Sequence, residues 1–256
     1  MSIIDSYDVE RISTINPEDI YPKHERTLDA CIITFSYKIM DALLEDGLLE
    51  RIEGADIKSI SCQYPIYRYK GTNIGVIKTT VGAPITSTLM EEVGHIFSCK
   101  KFVLFGSCGG LDKAIPPKMI IVPTHAYRDE GTSYHYLPPS DYVEVKNHAA
   151  VAAVLERLGV SYVKGRTWTT DVFYRETKRN VQRRREEGCI AVEMEVSACQ
   201  AVADFRGYEL YNFLYRADNL DAVQWEKSAL GSSGCSLDER LQQFALALEI
   251  AREVIR

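Results

Sequence analysis

The sequence predicts an α/β fold: one domain over residues 1–256, with a central mixed, mostly parallel β-sheet flanked by helices. Two observations carry this expectation. Near-continuous apolar runs of four to six residues recur along the chain, and such runs suit strands covered on both faces. Segments with the apolar spacing of a helix follow most of them, the rhythm of a sheet packed between helices. With 256 residues, 46% of them hydrophobic, the chain can bury one substantial core.

Residues 1–29 read as an N-terminal extension. Ala30-Cys31-Ile32-Ile33-Thr34-Phe35 reads as the first buried strand, and Tyr37 to Leu49 follows with helical spacing. Ile74-Gly75-Val76-Ile77 is the next strand, leading through Thr79-Thr80-Val81-Gly82-Ala83-Pro84 into a helix at Ile85 to Ile96. Phe102-Val103-Leu104-Phe105 and Met119-Ile120-Ile121-Val122 are two more strands. Helices are expected at His148 to Leu158, Lys178 to Glu187, Glu195 to Phe205 and Leu237 to Ile255. Strands return at Ile190-Ala191-Val192 and at Leu210 to Tyr215. Neither an internal repeat nor a low-complexity linker divides the chain. Gly231-Ser232-Ser233-Gly234 reads as a mobile loop before the last helix.

Charge and composition exclude several functions. A net charge of −6 argues against a nucleic-acid partner, which needs clustered Lys and Arg. Arg183-Arg184-Arg185 runs straight into Glu186 and Glu187, so a solvated helix face is expected there. The segment Met1 to Arg11 carries Asp5, Asp8 and Glu10 and no apolar core, unlike a secretory signal. No apolar stretch approaches the roughly 18–20 residues of a membrane span. Seven cysteines, scattered without paired spacing, argue against a disulfide framework or a zinc site. A reducing cytoplasm and no metal are expected.

Four segments carry chemistry. Gly106-Ser107-Cys108-Gly109-Gly110 follows a strand, and reads either as an anion-binding backbone turn or as a tight strand exit. Val192-Glu193-Met194-Glu195 puts two carboxylates where a strand hands over to a helix, although Glu is rarely hidden without a partner. One of them can accept hydrogen bonds from neighbouring sugar hydroxyls, or it can favour the helix start. Arg216-Ala217-Asp218-Asn219 ends an apolar strand, where open α/β sheets bind ligands. In an apolar pocket an acid there can donate a proton to a leaving group. Thr169-Thr170-Asp171-Val172-Phe173-Tyr174 offers an aromatic pair, for the core or for the face of a heterocycle.

In order and spacing these segments resemble the nucleoside phosphorylase family, which includes hexameric bacterial purine nucleoside phosphorylases, uridine phosphorylases and related nucleosidases. The resemblance runs from about Ala30 to the C-terminus; Asp129-Glu130-Gly131-Thr132-Ser133-Tyr134-His135-Tyr136 is similar to the uridine-phosphorylase branch. The resemblance implies that Phe173 stacks on the base or sugar, and that Cys108, Gly109 and Val192 line the base site. Met194 and Glu195 would hold the ribose, with Glu195 bonding its 2′ and 3′ hydroxyls. Asp218 falls where the purine branch has the acid that protonates N7, and Arg240 where an arginine assists it. His24 matches the histidine that relatives lend to the sugar 5′ hydroxyl, with His135 at a subunit boundary as the alternative and an ordinary exposed histidine as the plainer reading of His24. Relatives assemble as dimers grouped into hexamers, so a homo-oligomer is implied.

The phosphate site departs from the family pattern. Thr34-Phe35-Ser36-Tyr37-Lys38 stands where phosphorylases carry a glycine-aspartate-proline turn with a nearby arginine. Leu104 replaces a second arginine, and a third is missing near Ser61. A phosphate dianion needs charge-assisted partners; Ser107, Lys38, Thr80 and Arg26 are the substitutes available. Hydrolytic relatives carry a water-activating glutamate in the helix after the first strand, where this chain has Lys38 and Ile39. Lys38 has the sign a phosphate requires, which favours phosphorolysis. Asp218 favours a purine, since uridine phosphorylases lack an acid there; of their uracil-reading glutamine and arginine only Arg179 survives, beside Thr177. The expectation is therefore a purine nucleoside phosphorylase with phosphate as co-substrate and no organic cofactor. A uridine phosphorylase, a phosphate-independent nucleosidase and a catalytically silent nucleoside-binding protein are the alternatives.

Overall fold

Buried apolar runs alternate with helices from Ala30 onward in a computed structural model, which describes residues 2–59, 62–221 and 236–256. Ser61 and Gly231-Ser232-Ser233-Gly234 lie outside the described residues. The elements are α1 (Pro17–Ile20), β1 (Ala30–Thr34), α2 (Tyr37–Glu45), β2 (Leu49–Arg51), β3 (Ile57–Lys58), β4 (Gln63–Tyr64), β5 (Ile66–Tyr69) and β6 (Ile74–Lys78). Then come α3 (Ala83–Ile96), β7 (Lys101–Gly110), β8 (Ile120–Asp129), β9 (Tyr142–Glu144), α4 (His148–Arg157) and β10 (Tyr162–Thr170). The chain continues through α5 (Lys178–Glu186), β11 (Cys189–Glu193), α6 (Val196–Arg206), β12 (Glu209–Asn219) and α7 (Leu237–Val254).

Side-chain alternation along β1 explains the layers. Ala30 and Ile32 face a core shared with α2, α4 and α7, including Met40, Val151 and Phe244. Cys31 and Ile33 face the other side, against Leu89 and Val93 of α3 and Cys199 of α6. Both faces are dry, so β1 reads as an unbroken apolar run.

The main sheet runs β11-β10-β8-β12-β7-β1-β6-β5-β2, with β9 added to β8; β3 and β4 form a separate ribbon. An extra pairing of β11 with β7 joins the first strand of that path to the fifth. The strands β11, β10, β8, β12 and β7 therefore close into a ring, and β1, β6, β5 and β2 extend it as an open wing. Sequence reading expects mostly parallel pairing; among the described residues the strand pairs of the main sheet divide evenly in number, with the longest registers parallel. Five are parallel and five antiparallel. The antiparallel contacts come from the ring closure and from short strands such as β2, β5 and β9, which carry no long apolar run to announce them.

Local chemistry sets the boundaries. The Ser36 hydroxyl caps α2 by accepting from the Ile39 amide at 3.4 Å, and Thr177 does the same for α5. Helix α2 stops at Glu45, short of the expected Leu49, because Gly47 turns left-handed with φ of 62°. Strand β7 runs four residues beyond Gly106 to Gly110 in extended backbone, so neither a turn nor a strand exit forms there. The expected solvated arginine face holds for Arg183 and Arg185 only. Arg184 is buried, with its guanidinium 3.5 Å from the centre of the Tyr127 ring and paired with Glu187. Among the described residues no helix is long and apolar enough to cross a membrane.

Glycine in β7 is a matter of space. A Cβ on Gly110 would sit 2.5 Å from Arg216 Nε and 3.1 Å from the Asp218 carbonyl oxygen. Both belong to β12, and Arg216 Nε donates to that same carbonyl at 3.0 Å. Gly110→Ala should therefore lower unfolding free energy by about 1–3 kcal/mol, the usual cost of overpacking, read as a reduced midpoint in urea titration.

Candidate active site

The site begins at Gly109. On one side it pairs with Val192 of β11, on the other with Asp218 of β12. Register slips between Arg216 and Asp218, leaving Ala217 as an extra residue in β12. A bulge of this kind re-aims the side chain that follows it. A Cβ on Gly109 would lie 2.5 Å from Leu220, 2.9 Å from Val192 and 3.0 Å from Asp218 Oδ1. Only glycine lets three strands converge this closely.

A cavity of about 750 Å³ opens at this convergence. Ser107, Cys108 and Gly109 of β7 line it with Val192, Glu193, Met194 and Glu195. Tyr215, Ala217 and Asp218 of β12 contribute, as do Phe173, Tyr174, Glu176 and Lys178. Thr34, Phe35, Ser36 and Ile39 approach from β1 and α2, and Arg240 from the first turn of α7. That turn is tethered by Lys118, whose ammonium meets the Glu239 carboxylate at 2.5 Å.

The two glutamates after β11 divide their work. Glu193 accepts four hydrogen bonds: from Thr169 Oγ1 at 2.6 Å, Thr167 Oγ1 at 3.3 Å, and the amides of Glu195 and Val196 at 2.7 Å each. It is the helix-start carboxylate, satisfying the orphan donors of α6. Glu195 accepts from the Gly82 amide at 2.6 Å and from the Met194 amide at 3.3 Å. Gly82 can aim that amide because its φ is 120°, a conformation open to glycine. Each Glu195 oxygen keeps a second lone pair for a ligand hydroxyl.

Burial dominates the electrostatics. It raises the Glu193 carboxyl to about 7, with its hydrogen bonds pulling the other way. Glu195 is raised to about 8, first by burial and then by the charge of Glu193. Burial also pushes Glu176 up to about 7, aided by Asp218. The Cys108 thiol is pushed well above its ordinary value by burial, then by Glu193 and Asp218. Its Sγ donates to the Tyr215 carbonyl, so Cys108 is an inert wall.

Ser107, Cys108, Gly109, Phe173, Val192, Met194, Glu195, Asp218 and Arg240 thus share one cavity, whereas Lys38, Thr80 and His24 are not in its lining. Helical geometry accounts for Lys38: Ser36 and Ile39, three apart, present one face of the entry to α2, and Lys38 points off it. Thr80 is exposed, one residue before the lining begins at Val81. His24 packs on Phe97 with ring centres 5.4 Å apart, its Nδ1 accepting from the Arg26 amide at 3.0 Å. Arg26 and His135 are exposed and outside the lining, and Thr177 and Arg179 are outside it too. Phe173 and Tyr174 form a tilted pair, ring centres 4.2 Å apart, left open to solvent. Glu176 and Tyr215 escape sequence reading. A carboxylate two residues past an aromatic pair was the available signal for Glu176; Tyr215 looks like any core aromatic.

Comparison with known proteins identifies the family and the fold. The family model described as the phosphorylase superfamily matches residues 29–246. The DeoD-type purine nucleoside phosphorylase of Bacillus cytotoxicus is 27% identical over 188 residues, 72% of this chain and 76% of that enzyme. The Bacillus cereus enzyme of the same type is 26% identical over 155 residues, 59% of this chain and 66% of that enzyme. Among solved structures, AMP nucleosidase from Bacteroides thetaiotaomicron superposes with a TM-score of 0.67 at 20% identity, covering 89% of this chain and 90% of that one. A futalosine hydrolase mutant from Helicobacter pylori superposes with a TM-score of 0.68 at 14% identity, covering 90% and 100%.

The raised carboxyls make stability depend on pH. Glu193 and Glu195 hold protons in the folded chain that the unfolded chain has released above about 4.5. Stability contributed by them is therefore full below that value and falls as pH rises through about 7 to 8. Glu195→Gln removes one of these titrations. Urea titrations at pH 5 and pH 8.5 should show a smaller loss in the variant than in wild type, by on the order of a few kcal/mol.

Proposed function

This chain belongs to the phosphorylase superfamily, and from that membership and the cavity's side chains we propose that it cleaves the N-glycosidic bond of a purine nucleoside. One observation carries the reading: Asp218 and Glu195 line the same cavity, with Gly109 of β7 paired between β12 and β11. Glu195 accepts hydrogen bonds from the 2′ and 3′ hydroxyls through its second lone pairs. Met194 packs beneath the sugar, and Phe173 supplies a flat face for base or sugar. As the C1′–N bond lengthens, positive charge grows on the ribose and the electron pair moves into the base. Asp218 donates its proton to that base.

The nucleophile is water. Among the described residues the lining holds two basic groups, Lys178 and Arg240, against four carboxyls, Glu176, Glu193, Glu195 and Asp218. A hydrated phosphate dianion gains too little there to offset its desolvation. Lys38, the residue that favours phosphate on sequence grounds, is not in the lining. Attack by water on C1′ forms the C–O bond, releases the free base and returns a proton to the carboxyls. Phosphorolysis is the second reading, favoured by the identity to the Bacillus phosphorylases, with Ser107 and Arg240 then meeting the anion. The chain works as a homo-oligomer, a dimer or a hexamer, because Val81, Phe173 and Tyr174 stay exposed along the cavity.

Adenosine, inosine and uridine, each incubated with and without phosphate, test this directly. The expected products are free purine and free ribose at a rate indifferent to phosphate. Release that requires phosphate and yields a sugar phosphate selects the second reading; thermal stabilisation by nucleoside without turnover points to a silent binding protein. Asp218→Asn should lower kcat by about 10²- to 10⁴-fold.

A further inference from the structure

We propose that Glu176 reads the edge of the leaving base together with Asp218, and that the pair selects 6-aminopurine nucleosides over 6-oxopurine ones. The inference rests on the glycosidic reading and adds the base to it. Glu176 lies between the turn carrying Phe173 and Tyr174 and the start of α5. Its neighbours in the uracil-reading places of uridine phosphorylases do not line the cavity. Thr177 accepts from the Asn180 amide at 3.3 Å, and Arg179 is exposed on α5 outside the lining. What the start of α5 presents to the cavity is Glu176 and Lys178. Lys178 is exposed and also lines a neighbouring hollow with Asp112, Arg185 and Asp221. Arg240, the other cation of the lining, enters from α7.

No hydrogen bond to the Glu176 carboxyl is found among the described residues, although that group is largely withdrawn from water and feels the charge of Asp218. Two carboxyls that line one cavity and feel each other's charge favour a state with one proton between them, since ionising both sets like charges together. That state offers one donor beside acceptors. A 6-aminopurine presents N7, an acceptor, beside the 6-amino group, a donor; a 6-oxopurine presents two acceptors, N7 and O6. Proton donation to N7 by Asp218 leaves Glu176 to accept from the amino group. With a 6-oxopurine, O6 would face an ionised carboxylate, and sites built around one hydrogen-bonding pattern reject the mismatched analogue strongly.

The test compares adenosine with inosine in wild type and Glu176→Gln. Wild type should show kcat/KM at least about tenfold higher for adenosine. The variant should lose about 10- to 100-fold on adenosine and gain on inosine, because its amide can donate to O6. A parallel calorimetric titration of free adenine and free hypoxanthine should show the same inversion, with a thermal melt verifying folding. Equal losses on both substrates, an unchanged ratio, or wild-type preference for inosine or hypoxanthine overturns the proposal. Absence of base release from every nucleoside sinks the glycosidic reading alone, and the adenine and hypoxanthine affinities then decide the role of Glu176.

Discussion

Close approach at Gly109 is the constraint on which the rest depends. Strands β7, β11 and β12 meet there at distances that leave no room for a single methyl group. Their meeting closes the five-strand ring, puts Val192 and Asp218 on opposite flanks of one residue, and opens the cavity at the seam. The extra residue Ala217 belongs to the same geometry, since a strand that must both continue the ladder and aim an acid inward needs a break in register. Val192 and Asp218 are thus held on strands, whereas Met194 and Glu195 follow the end of β11 directly and Phe173 and Glu176 lie in and after a turn.

Around that seam the protein accumulates buried acid. Glu193 is stabilised by four donors and shapes the start of α6, whereas Glu195 is held by two backbone amides and keeps capacity toward the cavity. Concentrating carboxyls in an apolar pocket opposes folding near neutral pH, because burial disfavours the charged forms. The same arrangement suits chemistry in which a sugar becomes cationic while a base takes up a proton. Stability is given up where function gains from it.

Much of the architecture was legible because it rests on runs that report burial directly. The strands at Ala30, Ile74, Phe102, Ile190 and Leu210 and the six longer helices begin within two residues of where apolar spacing and capping residues put them. Strand β10 was not legible: Tyr162 to Thr170 mixes Lys164, Arg166 and three threonines, and forms by pairing with β8 and β11. Arg184 was misread for a related reason, since its neighbours are charged and its aromatic partner Tyr127 is 57 positions away in sequence.

Residue types alone determined the α/β class, the membership signalled by the glycine-serine-cysteine-glycine and glutamate-methionine-glutamate segments, and the short list of candidate acids. Those properties are local: burial period, turn chemistry and side-chain inventory are written at each position. Tertiary structure decided which of the two glutamates is taken up by helix-start donors and which keeps capacity toward the cavity, that Lys38, Thr80 and His24 stand outside it, and that Glu176 stands within. Each of these depends on partners from distant segments, such as Thr169 for Glu193 and Gly82 for Glu195. The direction of a side chain in space is set by the ring closure, which no single stretch of sequence encodes.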